Sequence, residues 1–148
     1  MGENAIMFYR WLTVRDGDCR ARAIFDRHYS RRHYAGGRKP KLFVGPGEKM
    51  VLLTEQADAL FIWRKFISDA GQIGVNCAVF RNESTYLSSE LIQEACDLAG
   101  LRWPGERLYT YVNGTKIRSA NPGCCFIKAG WRKCGRSKHG LFILEKEF

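Results

Sequence analysis

Apolar and polar positions along the chain fall into short blocks whose spacing alternates between that of a strand and that of a helix. Residues 5–14, AIMFYRWLTV, are rich in β-branched and aromatic side chains and predict a first strand. Asp16-Gly17-Asp18 reads as a turn whose last carboxylate can cap a helix, and CRARAIFDRHY over 19–29 supplies about three helical turns. Residues 42–44 and 50–54 flank Gly45-Pro46-Gly47 in the pattern of a hairpin. Residues 59–66 and 74–80 predict two more strands around a turn at Gly71. From 84 to 100 the period lengthens: Leu87, Leu91, Ala95 or Cys96, and Leu98 fall near helical spacing, and Gly100 is placed as a C-cap. Residues 107–112 predict a further strand, Asn121-Pro122 opens a short helix with proline near its first position, and residues 140–144 predict a final strand.

This order predicts an α/β (α+β) fold, with a mostly antiparallel central sheet flanked by helices. One domain is expected to span residues 1–148, since no repeat, low-complexity tract or linker divides them. Hydrophobic residues make up 45%, with four Trp, six Tyr and nine Phe, enough apolar surface to close a core without metals or disulfides. Disorder as the main state is excluded. No run approaches the roughly 20 apolar residues of a membrane-spanning helix, and the N-terminus lacks a secretory pattern, so a soluble cytoplasmic protein with no membrane partner is expected. Cys19, Cys77 and Cys96 are dispersed, and Cys124, Cys125 and Cys134 cluster without a CxxC spacing. Free thiols and no metal centre are the expectation.

Charge changes the picture more than composition does. The 24 Lys and Arg exceed the 15 Asp and Glu for a net charge of +9. Two stretches contain no acid at all. Residues 27–47 carry Arg27, Arg31, Arg32, Arg38, Lys39 and Lys41, and residues 107–144 carry Arg107, Lys116, Arg118, Lys128, Arg132, Lys133, Arg136 and Lys138. Charge runs are often only solvated loops. Here bases are interleaved with rings and glycines, as in the segment from Arg27 to Tyr34 followed by Gly36-Gly37-Arg38-Lys39. Such a segment can pair phosphates with guanidinium forks and stack bases on rings, which points to a nucleic acid or a phosphorylated cofactor.

Several residues carry candidate chemistry, each beside a structural alternative. His28 and Tyr29 on a basic loop can accept and donate a proton, or can simply be a surface residue and a packed one. Tyr109 and Tyr111 alternate with Thr110, so both rings face one side of a strand, where they can stack on a base or join the core. Asn113 and Arg118 follow them as polar groups. The segment from Val79 to Ser84 leads into Ser88 and Ser89, whose hydroxyls can bond a phosphate at a helix N-terminus or only cap the helix. Cys124 and Cys125 admit a thiol nucleophile, but with no acid between Glu106 and Glu145 covalent catalysis is not favoured.

The element order is similar to the GNAT acyltransferase fold over nearly the whole chain. Two segments sharpen the likeness: His28-Tyr29-Ser30, and Asn121-Pro122-Gly123, Cys125-Phe126, Ala129-Gly130-Trp131, Cys134-Gly135-Arg136, Lys138 and Gly140-Leu141 at their particular spacing. Together they resemble the phage Mom-type proteins, which are GNAT-like and modify the N6 amino group of adenine in DNA, protecting it from restriction. The resemblance implies a DNA-modifying transferase in the bacterial host cytoplasm that uses acetyl-CoA or another acyl-CoA. It implies an active centre at His28 and Tyr29, with Ser30 next in the same segment, and the residue reading adds Tyr109 and Asn113 as catalytic candidates. Donor contacts are expected from Phe80, Arg81, Ser84, Ser88 and Ser89, and DNA contacts from Arg31, Arg32, Arg38, Lys39, Lys41, Lys116, Arg118, Arg132, Arg136 and Lys138. The chain departs from the family at the donor junction, which lacks the usual glycines and carries Glu83, an acid that would oppose a phosphate. The alternatives are a non-catalytic nucleic-acid-binding protein, and a GNAT acetyltransferase acting on a small amine or a protein.

Overall fold

The computed structural model describes residues 9–28, 42–66, 71–113, 124–137 and 140–147. In chain order the elements are β1 (Trp11–Val14), α1 (Cys19–Phe25), β2 (Glu48–Thr54), β3 (Ala59–Lys65), β4 (Val75–Asn82), α2 (Ser88–Arg102), β5 (Leu108–Val112), α3 (Cys124–Lys128), β6 (Arg132–Arg136) and β7 (Phe142–Lys146). The strands form one seven-stranded sheet in the order β1-β2-β3-β4-β5-β7-β6. Every neighbouring pair is antiparallel except β4 and β5, so the fold is mixed α+β with a mostly antiparallel sheet.

Alternation along the strands separates two cores, one on each face of the sheet. On one face Leu52, Phe61, Trp63, Val75, Cys77 and Leu144 pack under α2 and α3, which contribute Leu91, Ile92, Ala95, Ala99 and Phe126. Two buried indoles fasten this layer: Trp11 Nε1 donates to the Leu91 carbonyl at 2.8 Å and Trp63 Nε1 to the Ala95 carbonyl at 2.9 Å. On the other face Val51, Leu53, Leu60, Ile62 and Val79 pack under Ala21 and Ile24 of α1. That helix starts as the sequence predicts, with the Asp18 carboxylate accepting from the backbone N–H of Arg20 and Ala21.

The boundaries differ from the periodicity reading where side chains claim the backbone. Residues 42–44 are not a strand, because the Asp16 carboxylate takes the N–H groups of Phe43 and Val44 at 2.8 and 3.1 Å, and β2 finds both its neighbours in β1 and β3. α1 ends at Phe25, after which His28 N–H bonds back to the Phe25 carbonyl in a tight turn. α2 starts at Ser88 and runs through Gly100 to a cap at Trp103, whose N–H reaches the Ala99 carbonyl at 2.7 Å; burial of the Trp103 ring carries the helix past the glycine. The sequence RKCGR, to which the periodicity reading assigns no element, is the edge strand β6, exposed along its whole length. Charges on an edge strand discourage pairing with other chains, so its polarity is compatible with strand structure.

Gly74 sets the one parallel join. Its φ of +128° suits glycine, and a Cβ there would lie 2.2 Å from the Arg107 carbonyl oxygen. That carbonyl accepts from Val75 N–H at 2.8 Å, which starts the pairing of β4 with β5. Among the described residues no helix is long and apolar enough to cross a membrane.

Candidate functional site

The parallel join is short. β4 pairs β5 only at Val75↔Leu108, Asn76↔Tyr109 and Cys77↔Thr110. Beyond that point both strands continue, β4 against β3 as far as Asn82 and β5 against β7 as far as Val112, but they do not pair with each other. Among the described residues the sheet therefore opens between 78–82 and 111–112, where β4 and β5 are not joined to each other. A β-bulge falls at the same level: Ile62 pairs Val79 while Trp63 pairs Cys77, which leaves Ala78 as the extra residue and re-aims the strand. Such a gap can take an extended, amide-bearing ligand along the strand edge.

His28 stands beside the β4 border. Its ring is buried, hydrogen-bonds the Phe80 backbone and lies within electrostatic reach of Arg81. Burial first, and then the Arg81 charge, lower its pKa from the ordinary 6.5 to about 4, against the hydrogen bond to Phe80. The imidazole is neutral at physiological pH and able to accept a proton. Tyr29 and Ser30, the neighbours expected to share its role, lie outside the described residues.

An ion cluster sits at the end of β4. The Arg27 guanidinium donates two bonds to Glu83, at 2.7 and 2.6 Å, and Arg81 Nε donates a third at 2.6 Å. The Arg27 pairing, aided by Arg81 and opposed by partial burial, lowers the Glu83 pKa to about 2. The acid that looked awkward in the sequence is thus held by two bases, one of which was not among the expected donor contacts. No signal along the chain joins Arg27 to Glu83; only the fold does.

The remaining donor candidates are organised around Asn82. Its Oδ1 accepts from Ser84 N–H and hydroxyl, and its Nδ2 donates to the Tyr86 carbonyl and to Ser88 Oγ at 2.8 and 2.9 Å. Ser84 lies in this turn rather than in the helix. Ser88 and Ser89 form the first turn of α2, and the residue before them, Leu87, offers no side-chain cap. The first N–H groups there are those a phosphate can use. Phe80 directs its ring into the core against Phe61 and Phe126, so what it offers the gap is backbone.

On β5, Tyr109 and Tyr111 share a face as expected, with their rings edge to face at 5.8 Å. Tyr109 is fully buried, and Asn113 follows the strand half-buried. Thr110 points to the opposite face, where its hydroxyl donates to the Cys77 carbonyl at 2.9 Å. All six cysteines are free thiols; burial raises the pKa of Cys77, Cys125 and Cys96, the last to about 11, which disfavours thiolate chemistry. Among the described residues, no three His, Cys, Asp or Glu side chains gather as metal ligands.

Stretches without acids along the sequence are not without acids in space. Arg107 and Arg132 both pair with Glu145, and Arg27 pairs with Glu83. Of the expected DNA contacts, Arg132 and Arg136 lie on the exposed edge β6, where Arg136 and Lys133 stand over the Phe142 ring at 4.4 and 4.7 Å. Arg31, Arg32, Arg38, Lys39, Lys41, Lys116, Arg118 and Lys138 fall outside the described residues. No protein-family model, curated protein or solved structure matches the chain.

Proposed function

We propose that this chain is a GNAT-like transferase that adds a small group from an acyl-CoA donor to the N6 amino group of adenine in DNA. The observation that carries this reading is the gap between β4 and β5 with the neutral His28 imidazole on its border. The seven-strand order with a single parallel join and the motif resemblance support the same reading.

The donor-side groups fit an acyl-CoA. The stretch 78–82, which does not pair with β5, suits the extended arm of the donor, while Arg81, Arg27 and the uncapped start of α2 suit its diphosphate. When bound, the thioester supplies an activated acyl carbon. The exocyclic amine of adenine is a poor nucleophile, so catalysis depends on positioning and on proton removal. His28, neutral in its buried setting, is the proton acceptor, and Tyr29 the donor to the leaving group. The bases Arg132, Lys133 and Arg136 on β6 offer a sequence-independent surface for the DNA backbone.

One observation favours a second reading, nucleic-acid binding without chemistry: Glu83 fills the guanidinium pair that a donor diphosphate would need. A GNAT enzyme for a small amine or a protein would leave the two acid-free stretches unexplained. Mass spectrometry of nucleosides from the DNA of cells expressing the protein decides among them. A new adenosine adduct, absent with His28→Ala, is expected; unmodified adenosine would reject the transferase reading.

A further inference from the structure

We propose that Asn76 and Tyr111 form a base-reading site at the closed end of the opening between β4 and β5, in which the Asn76 carboxamide takes the exocyclic amino group of an adenine whose ring lies on Tyr111. This rests on the transferase reading for the identity of the base; the need for a hydrogen-bond donor at Asn76 follows from the structure alone. Asn76 is 7% exposed, and among the described residues its Oδ1 has no hydrogen-bond partner. A buried acceptor without a partner lowers stability and is rarely kept for the sake of the fold. Asn82 on the same strand shows the contrast, with both ends of its carboxamide bonded inside the loop that it holds. Trp131 Nε1, another buried group without an oxygen or nitrogen partner, faces the Cys96 thiol.

The strand register places Asn76 where the two strands begin to part. Val75 and Cys77 on either side of it belong to the core under α2 and α3, so its side chain points to the α1 face. It pairs with Tyr109, and β4 and β5 separate after the next pair, Cys77↔Thr110. Arg64, its partner on β3, is directed elsewhere: its Nε donates to the Pro46 carbonyl at 2.6 Å and its guanidinium covers the Phe66 ring at 3.7 Å. Tyr111, half-buried, is the first residue of β5 past the pairing and shares the face of Tyr109. A carboxamide offers one acceptor and one donor, which match the amino group and the adjacent ring nitrogen of adenine, and a phenol ring supplies a stacking platform. On the transferase reading the arm of the donor runs from the start of α2 along 82 to 78, which brings its acyl end to the same closed end. An adenine meets a strand opening only when it is out of its stack, so single strands are the probe.

Fluorescence anisotropy of the full chain with two short single strands tests the site: one carries a single adenine between abasic positions, the other purine, which lacks only the amino group. The unmutated protein is expected to bind the adenine strand about tenfold more tightly. Asn76→Leu should bind both strands alike and be no less stable in denaturant, since the unpartnered acceptor is gone, whereas Tyr111→Leu should weaken both strands by roughly tenfold and keep the preference. Equal binding of the two strands by the unmutated protein would leave an ordered water as the partner of Asn76 and overturn the proposal, as would a preference that survives Asn76→Leu. Should the variants not fold, the Asn76 side-chain amide NMR resonances of the unmutated protein decide: a shift with the adenine strand and not with the purine strand is expected, and the same response to both overturns the proposal. A preference for adenine without an adenosine adduct in cells would reject the transferase reading and leave the site standing, while an unchanged adduct level with Asn76→Leu would overturn the site and leave the transferase reading.

Discussion

Arg27 and Glu83, 56 residues apart in the chain, meet in a two-pronged ion pair with N–O distances of 2.7 and 2.6 Å. The pair joins the turn after α1 to the loop between β4 and α2, beside the opening in the sheet. It brings together a residue from an acid-free stretch and the acid that seemed out of place at the junction expected to bind a phosphate.

Acid should dissolve this tie in a defined range. The folded-state pKa of Glu83 is depressed from 4.5 to about 2, so its stabilisation is complete above the unfolded value and is lost as pH falls from 4.5 towards 2. Melting curves over that range should therefore fall less steeply for Glu83→Gln than for the unmutated chain. Parallel slopes would mean that the pair does not persist in solution.

His28 acts at higher pH. Its folded-state pKa is lowered below that of the unfolded chain, so the unfolded state takes up protons first and stability falls as pH drops from 6.5 towards 4. The full effect is roughly 3 kcal/mol, and His28→Gln should lack it. A ring-proton NMR titration giving a midpoint near 6.5 would contradict the buried, neutral imidazole.

Gly74→Ala should loosen the parallel join. The new Cβ meets the Arg107 carbonyl at 2.2 Å in a backbone conformation that side chains rarely adopt. A loss of about 2 kcal/mol or more is expected in denaturant unfolding, from strain and the displaced Val75 hydrogen bond. A neutral result would show that β4 and β5 separate at little cost.

Thiol labelling should divide the cysteines. Exposed Cys19 and Cys134 should react rapidly in the native chain, whereas buried Cys77 and Cys96 should react only on unfolding. Rapid native labelling of Cys96 would place the core under α2 in question.

DNA binding should weaken steeply with salt, with a log–log slope of roughly −4 or steeper for about five or more phosphate contacts. Arg136→Ala should reduce that slope by about one and weaken all sequences alike. A flat response would remove every nucleic-acid reading.

The chain by itself determined most of the succession of elements, because strand and helix periods, the Asp18 cap and the alternation of Tyr109 with Tyr111 are local properties of neighbouring residues. It also marked His28 and Arg81 as candidate site residues, though not their meeting. Tertiary structure alone decided that β6 is a strand, since RKCGR pairs only because β7 lies alongside it. Distant packing likewise carried α2 past Gly100 and took the 42–44 backbone for Asp16. The early end of the β4–β5 pairing and the two-guanidinium hold on Glu83 arise from contacts between residues far apart in sequence. Periodicity records which face of an element is apolar; it cannot record which charge comes to rest against which, and that pairing shapes the site.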